Sequence, residues 1–308
     1  MNSLAALIEG VRPRQAAKNL FVFAALLFAN RFASPQSVLQ CIAAFFLFFL
    51  ASGSIYLFND ILDAQQDKTH PVKCKRPIAS GRISPQLAGF TSFLLAGTAL
   101  ILGWQLAVRF EICLLTYLVL QISYCVWLKH IVLLDVFVIA AGFLLRTAAG
   151  AFAIHVTLSH WLLLCTLLLA LFLGLGKRRQ ELTLLGSKAA DHRSILSQYS
   201  ISFLDQLILM VVTSTLVSYS VYSIDSPTAH QHPHLWLTVP FVLYGICRYM
   251  YLVYQHGWGG APEEVLIQDR PLQCVLILWV LVSISLFLFD HATGAEVAQG
   301  IKSSMRIH

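Results

Sequence analysis

Charged side chains are scarce in this sequence. Asp, Glu, Lys and Arg together make up 12% of the 308 residues, whereas hydrophobic residues make up 57%. Soluble domains carry about 25% charged residues, so the composition excludes a water-soluble protein of this length. A nucleic-acid partner needs a charged surface for which this chain has too few residues, so we expect none.

Paired cysteines and internal repeats are also absent from the sequence. The seven cysteines stand singly and none forms a CxxC motif, so we interpret them as small buried hydrophobic residues. The strict alternation of apolar and polar residues that is typical of a membrane β-barrel is missing as well. The lack of repeats counts against a transporter or a lipid-binding protein without catalysis, which stays an alternative.

Long, continuous apolar runs dominate the chain instead. They have the length, about 17–25 residues, that crosses a bilayer as an α-helix. We therefore predict an all-α polytopic membrane protein with about nine transmembrane helices. The predicted spans are residues 18–33, 36–58, 86–107, 110–128, 131–153, 160–177, 201–223, 235–254 and 271–290. In this interpretation residues 1–290 form a single integral membrane catalytic domain, and residues 291–308 form a short polar C-terminal tail.

The distribution of basic residues predicts the orientation in the membrane. With the amino terminus in the cytoplasm, most lysines and arginines fall on the cytoplasmic side, as the positive-inside rule requires. Loops 59–85 and 178–200 then face the cytoplasm and hold most of the polar residues. We predict a multi-pass protein of the cell (inner) membrane whose active site faces the cytoplasm. The sequence leaves open whether it forms a homo-oligomer.

An acidic cluster follows the second predicted span. Asn59, Asp60, Asp63 and Asp67 have spacings that return to one face of a helix. Like charges gathered on one face repel one another unless a cation lies between them. Oxygen ligands of this kind suit Mg²⁺, which shares its coordination shell with the phosphates of a substrate. We predict that these four residues bind Mg²⁺ and that the three aspartates are catalytic; ordinary acids at a solvated helix end are the alternative.

Basic residues follow the acids directly. Lys73, Arg76 and Arg82 belong to this segment, together with His70, and they suit the binding of phosphate groups. Acids for a metal and bases for phosphate, side by side at a membrane surface, predict a site for a phosphorylated substrate.

A second basic group ends the sixth predicted span with the sequence GKRRQEL. Lys177 and Arg178 are candidates to bind a second phosphate, and Lys177 is also a candidate catalytic residue. Glu181 shares a helical face with Lys177. Tyr199 at the start of the next helix is expected to line the mouth of the site that this group forms with loop 59–85. The alternative interpretation is ordinary positive charge that flanks a membrane span.

Two charged residues lie inside the fifth predicted span. Asp135 and Arg146 are about three helical turns, or some 16 Å, apart along the axis, so we expect each to find a partner on another helix. Arg146 is also a candidate substrate-binding residue. Near the amino terminus, Arg14 and Lys18 lie at the level of the headgroups, where they can attract lipid headgroups in general or bind one lipid phosphate.

Together these motifs resemble the UbiA superfamily of intramembrane prenyltransferases. The pattern NDxxDxxxD at residues 59–67 is similar to the first aspartate-rich motif of that superfamily. The resemblance implies a ring of nine helices around a central cavity under a cytoplasmic cap. The second aspartate-rich motif that its aromatic prenyltransferases carry is missing here, and GKRRQEL stands in its place.

A more specific resemblance is to the decaprenyl-phosphate phosphoribosyltransferase branch of the superfamily. RPRQxxKN, NDxxDxxxDxxHPxKxxRPIASG, GKRRxEL and PEExxxxDRPLQ are similar to the motifs of that branch. This resemblance implies Mg²⁺-dependent transfer of 5-phosphoribose from phosphoribosyl diphosphate to a polyprenyl (decaprenyl-like) phosphate, with release of diphosphate. A UbiA-type aromatic prenyltransferase that uses a prenyl diphosphate is the alternative.

The same resemblance implies a role for each candidate residue. Mg²⁺ on the three aspartates would neutralise the departing diphosphate. The diphosphate or the ribose 5-phosphate would be bound by Lys73, Arg76 and Arg82, and the other anionic end of the donor by Lys177 and Arg178. Glu181 would bind a ribose hydroxyl or the metal. The lipid phosphate would be bound by Arg14 and Lys18.

Overall fold

The computed structural model describes residues 3–69, 72–185, 194–260 and 262–304. Within these ranges the chain forms helices and no strand. The α-helices are α1 (Ser3–Val11), α2 (Ala24–Phe28), α3 (Pro35–Leu62), α4 (Ala64–Thr69), α5 (Pro85–Leu106), α6 (Val108–Val126), α7 (Leu134–Ala153), α8 (His160–Leu185), α9 (Ile201–Asp225), α10 (Pro227–Gln231), α11 (Val239–Gln255), α12 (Pro262–Gln268) and α13 (Arg270–Ser304). Short 3₁₀ helices comprise Pro13–Phe23, Lys73–Lys75, Leu128–His130, Ser194–Gln198 and Leu235–Thr238.

Several long helices begin at a serine that caps the first turn. The side chains of Ser34, Ser84 and Ser200 accept hydrogen bonds from backbone N–H groups three residues later, at the starts of α3, α5 and α9. Proline follows the serine in α3 and α5, where its missing N–H costs no helical hydrogen bond. These local signals explain why the predicted spans and the observed helices begin at nearly the same residues.

Eight helices in the described part of the chain are long and apolar enough to cross a membrane. They correspond to eight of the predicted spans, from 36–58 to 271–290. The final helix extends to Ser304, so its backbone continues into the segment that the sequence analysis assigned to a polar tail.

The predicted first span, residues 18–33, is not a continuous transmembrane helix. A 3₁₀ helix extends from Pro13 to Phe23, and α2 adds only five residues before the chain turns at Asn30, whose φ is 52°. We call Pro13–Phe28 the broken segment. Polar residues fill its first half, and an irregular backbone at membrane depth is tolerated where other helices bury it. The expected number of nine spans is therefore not confirmed.

The helices pack in chain order around a closed ring. Helix α3 contacts α5 and α6, and α6, α7, α8, α9, α11 and α13 follow as successive neighbours. The broken segment packs on α3 and α7 and closes the ring, because the ring of Phe28 contacts Tyr222 of α9 at 5.7 Å and Trp279 of α13 at 5.9 Å. Large apolar side chains such as Phe93 and Trp104 point outward from α5, as expected for a lipid-facing surface.

A small apolar cap covers the end of the ring where α3 ends. Ala6 of α1 packs there with Leu57 of α3, Ile78 and Ile83 of the following loop, and Ala88 of α5. We call this end of the ring the polar end, because Asp60 and the end of α8 also lie here. The cap holds the loop after α4 against the helices, and this loop carries the first group of candidate site residues.

Candidate functional site

The three aspartates do not lie on one continuous helix. Helix α3 ends at Leu62, Asp63 is its C-cap with φ −87° and ψ 0°, and α4 begins at Ala64. The acids therefore do not share one uninterrupted helix, because α3 ends between Asp60 and Asp67. Backbone hydrogen bonds still bridge the break, since the N–H of Asp67 donates to the carbonyl of Asp63 at 2.8 Å.

Asp60 and Asp67 converge on a single arginine. Nη1 of Arg76 lies 2.6 Å from Oδ2 of Asp67 and 3.1 Å from Oδ1 of Asp60. Arg12 also donates to Oδ1 of Asp60. Both aspartates are buried, with exposed side-chain fractions of 2% and 4%. Because burial makes an unpaired carboxylate costly, these arginines stabilise the charged acid pair.

Asp63 has different partners. Its Oδ1 accepts a hydrogen bond from Nζ of Lys129 at 2.8 Å, and its Oδ2 accepts one from the amide of Asn59 at 2.9 Å. Sequence reasoning did not assign Lys129 to the site. It lies 66 residues from Asp63 along the chain, and no local motif marks it. Asn59 thus orients a carboxylate in this arrangement.

The chemistry of this acid pair fits a divalent cation. Among the described residues, no group of three or more acidic, histidine or cysteine side chains is arranged to hold a metal ion. Asp60 and Asp67 nevertheless bracket one cationic nitrogen, and carboxylate oxygens are the ligands that Mg²⁺ prefers. Asp60 and Asp67 would therefore be the residues that hold a hard cation, with Asp63 next to them in the chain segment.

Lys73, in the loop after α4, is partly buried. Burial and the neighbouring Arg76 lower the pKa of Lys73 below the ordinary lysine value, while nearby acids, among them Asp67 and Glu181, act in the opposite direction. Since Asp67 and Glu181 belong to α4 and α8, Lys73 faces both acidic elements. A buried ammonium in this position is suited to bind an anionic group. His70, which belongs to the same predicted basic segment, lies outside the described residues.

Lys177 lies on the other side of this mouth, near the end of α8. It is partly buried, and the charges of Lys18 and Glu181 both act on it. Lys18 also donates a hydrogen bond to Gln15, whereas Arg14 is exposed on the same segment. Lys18 and Glu181 are therefore close enough to Lys177 for their charges to act on it.

Arg178 and Tyr199 do not line the mouth as predicted. Nε of Arg178 donates to Oδ2 of Asp135 at 2.6 Å, and the arginine side chain is only 1% exposed. The hydroxyl of Tyr199 donates to Oδ1 of Asp135 at 2.8 Å and accepts the N–H of Leu133 at 2.7 Å. Both side chains are buried against Asp135. The expectation that Asp135 has a partner on another helix is confirmed.

Arg82 and Arg146 lie apart from the acid pair. Arg82 makes a bidentate ion pair with Glu9 of α1 at 2.6 and 2.8 Å, so in this arrangement it ties α1 to the loop. Arg146 is buried in the middle of the ring and donates to Asn19 at 2.7 Å, to Tyr117 at 2.9 Å and to a backbone carbonyl. As predicted, Arg146 finds partners from other helices, and those partners are uncharged.

A ring of membrane-crossing helices with buried acids and bases at one end defines a polytopic membrane protein with a site for charged ligands. Residues 19–257 match the UbiA prenyltransferase family, and the chain belongs to this family of membrane-embedded transferases. The resemblance stated from the motifs is thereby confirmed at the level of the family.

Related proteins of known name match nearly the whole chain. The chain is 34% identical over 290 residues to a decaprenyl-phosphate phosphoribosyltransferase of Mycolicibacterium smegmatis, a match that covers 91% of both chains. It is 31% identical over 284 residues to a decaprenyl-phosphate phosphoribosyltransferase of Mycobacterium tuberculosis, which covers 91% of this chain and 93% of the relative.

A solved structure shares the fold. A UbiA homologue from Archaeoglobus fulgidus, bound to GPP and Mg²⁺, superposes with a TM-score of 0.71 at 14% identity. The superposition covers 92% of this chain and 99% of the homologue. This likeness supports the all-helical UbiA architecture.

Proposed function

We propose that this protein transfers 5-phosphoribose from phosphoribosyl diphosphate to a polyprenyl phosphate and releases diphosphate. The observation that carries the proposal is the kind of side chain that the end of α8 contributes to the site. The end of α8 brings Lys177 and a single acid, Glu181, to the mouth, where an aromatic prenyltransferase of this superfamily is expected to carry a second set of acids. The names of the relatives at 31–34% identity support the same substrates.

The proposed cofactor is Mg²⁺, held by Asp60 and Asp67 with Asp63 at the edge of the site. When bound, this ion supplies positive charge that offsets the charge developing on the departing diphosphate. Arg76 lies beside both acids and is placed to bind a phosphate oxygen of the same diphosphate. Lys73 faces the same cluster and adds a second positive charge.

The reaction forms one bond and breaks another at the anomeric carbon of the ribose. An oxygen of the polyprenyl phosphate forms a bond to C1, while the bond from C1 to the diphosphate oxygen breaks and diphosphate leaves with the electron pair. The attacking phosphate is already an anion, so the step needs no general base. Lys18 and Lys177 are placed to position the anionic groups that meet at C1, and positioning of this kind lowers the barrier substantially.

We also propose that the polar end faces the cytoplasm of the cell (inner) membrane. Most lysines and arginines then lie on the cytoplasmic side, as the positive-inside rule requires. A water-soluble donor reaches the site from that side, and the acceptor approaches through the bilayer.

Transfer to lipid tests the proposal directly. Purified protein is incubated with Mg²⁺, polyprenyl phosphate and labelled phosphoribosyl diphosphate, and label entering the lipid phase is measured. We expect transfer by the wild type, its loss in Asp60→Asn and Asp67→Asn, and its retention in Asp205→Asn, whose carboxylate pairs with Arg179 away from these acids. If the wild type leaves the lipid unlabelled but joins a prenyl diphosphate to an aromatic acceptor, the alternative activity is correct.

A further inference from the structure

Asp135 and Arg178 form an ion pair that is closed to solvent. Their side chains are 0% and 1% exposed, and Nε of Arg178 lies 2.6 Å from Oδ2 of Asp135. A buried ion pair of this kind is rarely a gain in stability over an apolar pair of the same size, because both charges lose their hydration. Its presence at the polar end therefore calls for a role beyond stability.

The second carboxylate oxygen of Asp135 also accepts a hydrogen bond, which holds the side chain in place. Tyr199 donates to Oδ1 at 2.8 Å, and the backbone N–H of Leu133 holds the Tyr199 hydroxyl at 2.7 Å. Leu133 adopts φ 66°, a left-handed conformation that a leucine rarely takes. Three segments, the start of α7, the residue that follows the 194–198 helix, and α8, are thus joined around this one carboxylate.

The other edge of Arg178 reaches the site. Nη1 donates to Oε2 of Glu181 at 2.6 Å, and Nη2 contacts the hydroxyl of Tyr124 at 3.4 Å. All three guanidinium nitrogens are therefore engaged by the protein. Glu181 is 27% exposed and acts electrostatically on both Lys73 and Lys177. A line of direct contacts thus leads from the buried carboxylate of Asp135 through Arg178 to Glu181, whose charge acts on both site lysines.

We propose that Asp135 is a positioning residue for the donor site, an inference that rests on the proposed phosphoribosyl transfer. Asp135 fixes the guanidinium of Arg178, and Arg178 holds Glu181 where it faces Lys73 and Lys177. Arg178 thus acts through Glu181 and not by binding a phosphate itself. Without Asp135, the arginine loses its anchor, and Glu181 no longer keeps the lysines in place for the two anionic ends of the donor.

The test compares variants of this pair with a matched pair, Asp205 and Arg179, whose arginine lies next to Arg178 on α8. Asp135→Asn keeps the shape of the side chain and removes its charge. Asp205→Asn does the same to the partner of Arg179, where Nε and Oδ1 are also 2.6 Å apart but the side chains are partly exposed. We expect Asp135→Asn to raise the KM for phosphoribosyl diphosphate about tenfold, with a smaller change in the KM for polyprenyl phosphate. Asp205→Asn is expected to stay within about twofold of the wild type.

A double variant separates positioning from stability. Asp135→Asn alone leaves the buried Arg178 with only the partly exposed Glu181 as an anionic partner, so we expect its melting temperature to fall. Asp135→Asn with Arg178→Gln removes both charges, and we expect the melting temperature to recover while the KM for the donor stays raised. If that KM returns to the wild-type value together with stability, the pair is only structural and the inference is wrong. If the wild type itself transfers no phosphoribose, the proposed function fails and the inference fails with it.

Discussion

Nη1 of Arg76 lies 2.6 Å from Oδ2 of Asp67, and the same nitrogen is 3.1 Å from Oδ1 of Asp60. Arg76 thus balances both buried carboxylates, and Arg12 adds a second contact to Asp60. A divalent cation held by both acids would compete with Arg76 for them. In the proposed function, the displaced guanidinium would bind a phosphate of the donor.

This relationship predicts an unusual response to Arg76→Gln. Without this guanidinium, the two buried carboxylates lose their shared cation and only the contact of Arg12 with Asp60 is left, so we expect a lower melting temperature in the absence of divalent cations. We also expect Mg²⁺ to raise the melting temperature of the variant more than that of the wild type, because Arg76 no longer competes for the acids. Thermal unfolding in detergent with EDTA or with Mg²⁺ measures both effects.

Arg82→Gln is the control for this experiment. Arg82 pairs with Glu9, which belongs to α1 and is exposed, so its loss is expected to leave the response to Mg²⁺ unchanged. An equal Mg²⁺ response in wild type and Arg76→Gln would mean that Arg76 does not occupy the cation position.

The environment of Lys73 predicts how donor binding depends on pH. Burial and the charge of Arg76 lower the pKa of Lys73, so its proton is lost at a lower pH than that of a free lysine. In the proposed function the protonated form binds the anionic donor, and affinity is therefore lost as the pH rises through this lowered pKa. We expect the KM for phosphoribosyl diphosphate to rise in the wild type over the pH range in which Lys73 loses its proton, which lies below the range of a free lysine.

Lys73→Arg provides the comparison, since arginine keeps its charge throughout this range. The rise in KM is expected to move to higher pH or to disappear in this variant. Identical pH profiles for the two proteins would assign the titration to another group. Measuring the KM for polyprenyl phosphate over the same range separates an effect on the donor site from a general loss of enzyme.

Gly150 allows the broken segment to pack against α7. A Cβ placed on Gly150 would lie 2.0 Å from the backbone oxygen of Val22, which cannot move without shifting the segment. We expect Gly150→Ala to destabilise the protein by roughly 1–3 kcal/mol and to reduce transfer, because the same segment carries Lys18. Thermal unfolding and the transfer assay measure the two effects.

Gly97 is a matched control for Gly150. It also lies in a membrane helix, but a Cβ there has no neighbour within 4 Å, so Gly97→Ala is expected to leave stability and activity unchanged. Wild-type stability in Gly150→Ala would show that the contact with Val22 relaxes easily.

Arg146 holds the broken segment from inside the ring. Its guanidinium donates to Asn19 and Tyr117 and lies 4.6 Å from the centroid of the Tyr117 ring. Arg146→Met leaves these buried polar groups without their donor, so we expect a loss of roughly 2–4 kcal/mol in stability. Arg109→Met, at an exposed arginine, is the control in the same melting experiment. A melting temperature close to that of the wild type in Arg146→Met would contradict a structural role for this buried cation.

The sequence predicted the membrane architecture well because the signal is local. An apolar run of sufficient length must cross the bilayer as a helix whatever surrounds it, so eight spans could be located from hydropathy alone. The predicted span at 18–33 is not one continuous helix. Val22 lies close to Gly150 and Asn19 accepts a hydrogen bond from Arg146 in this region, and neither contact is visible from local composition.

The sequence also identified most of the candidate site residues, because the motifs NDxxDxxxD and GKRRQEL contain the acids and bases and indicate the family. Which acid pairs with which base depends on the contacts in the folded protein. Arg178 reaches Asp135 across 43 residues, Lys129 reaches Asp63 across 66, and Arg82 turns to Glu9. A buried charge must be compensated by whatever partner the fold brings within a few ångströms, and spacing along the chain does not contain that distance.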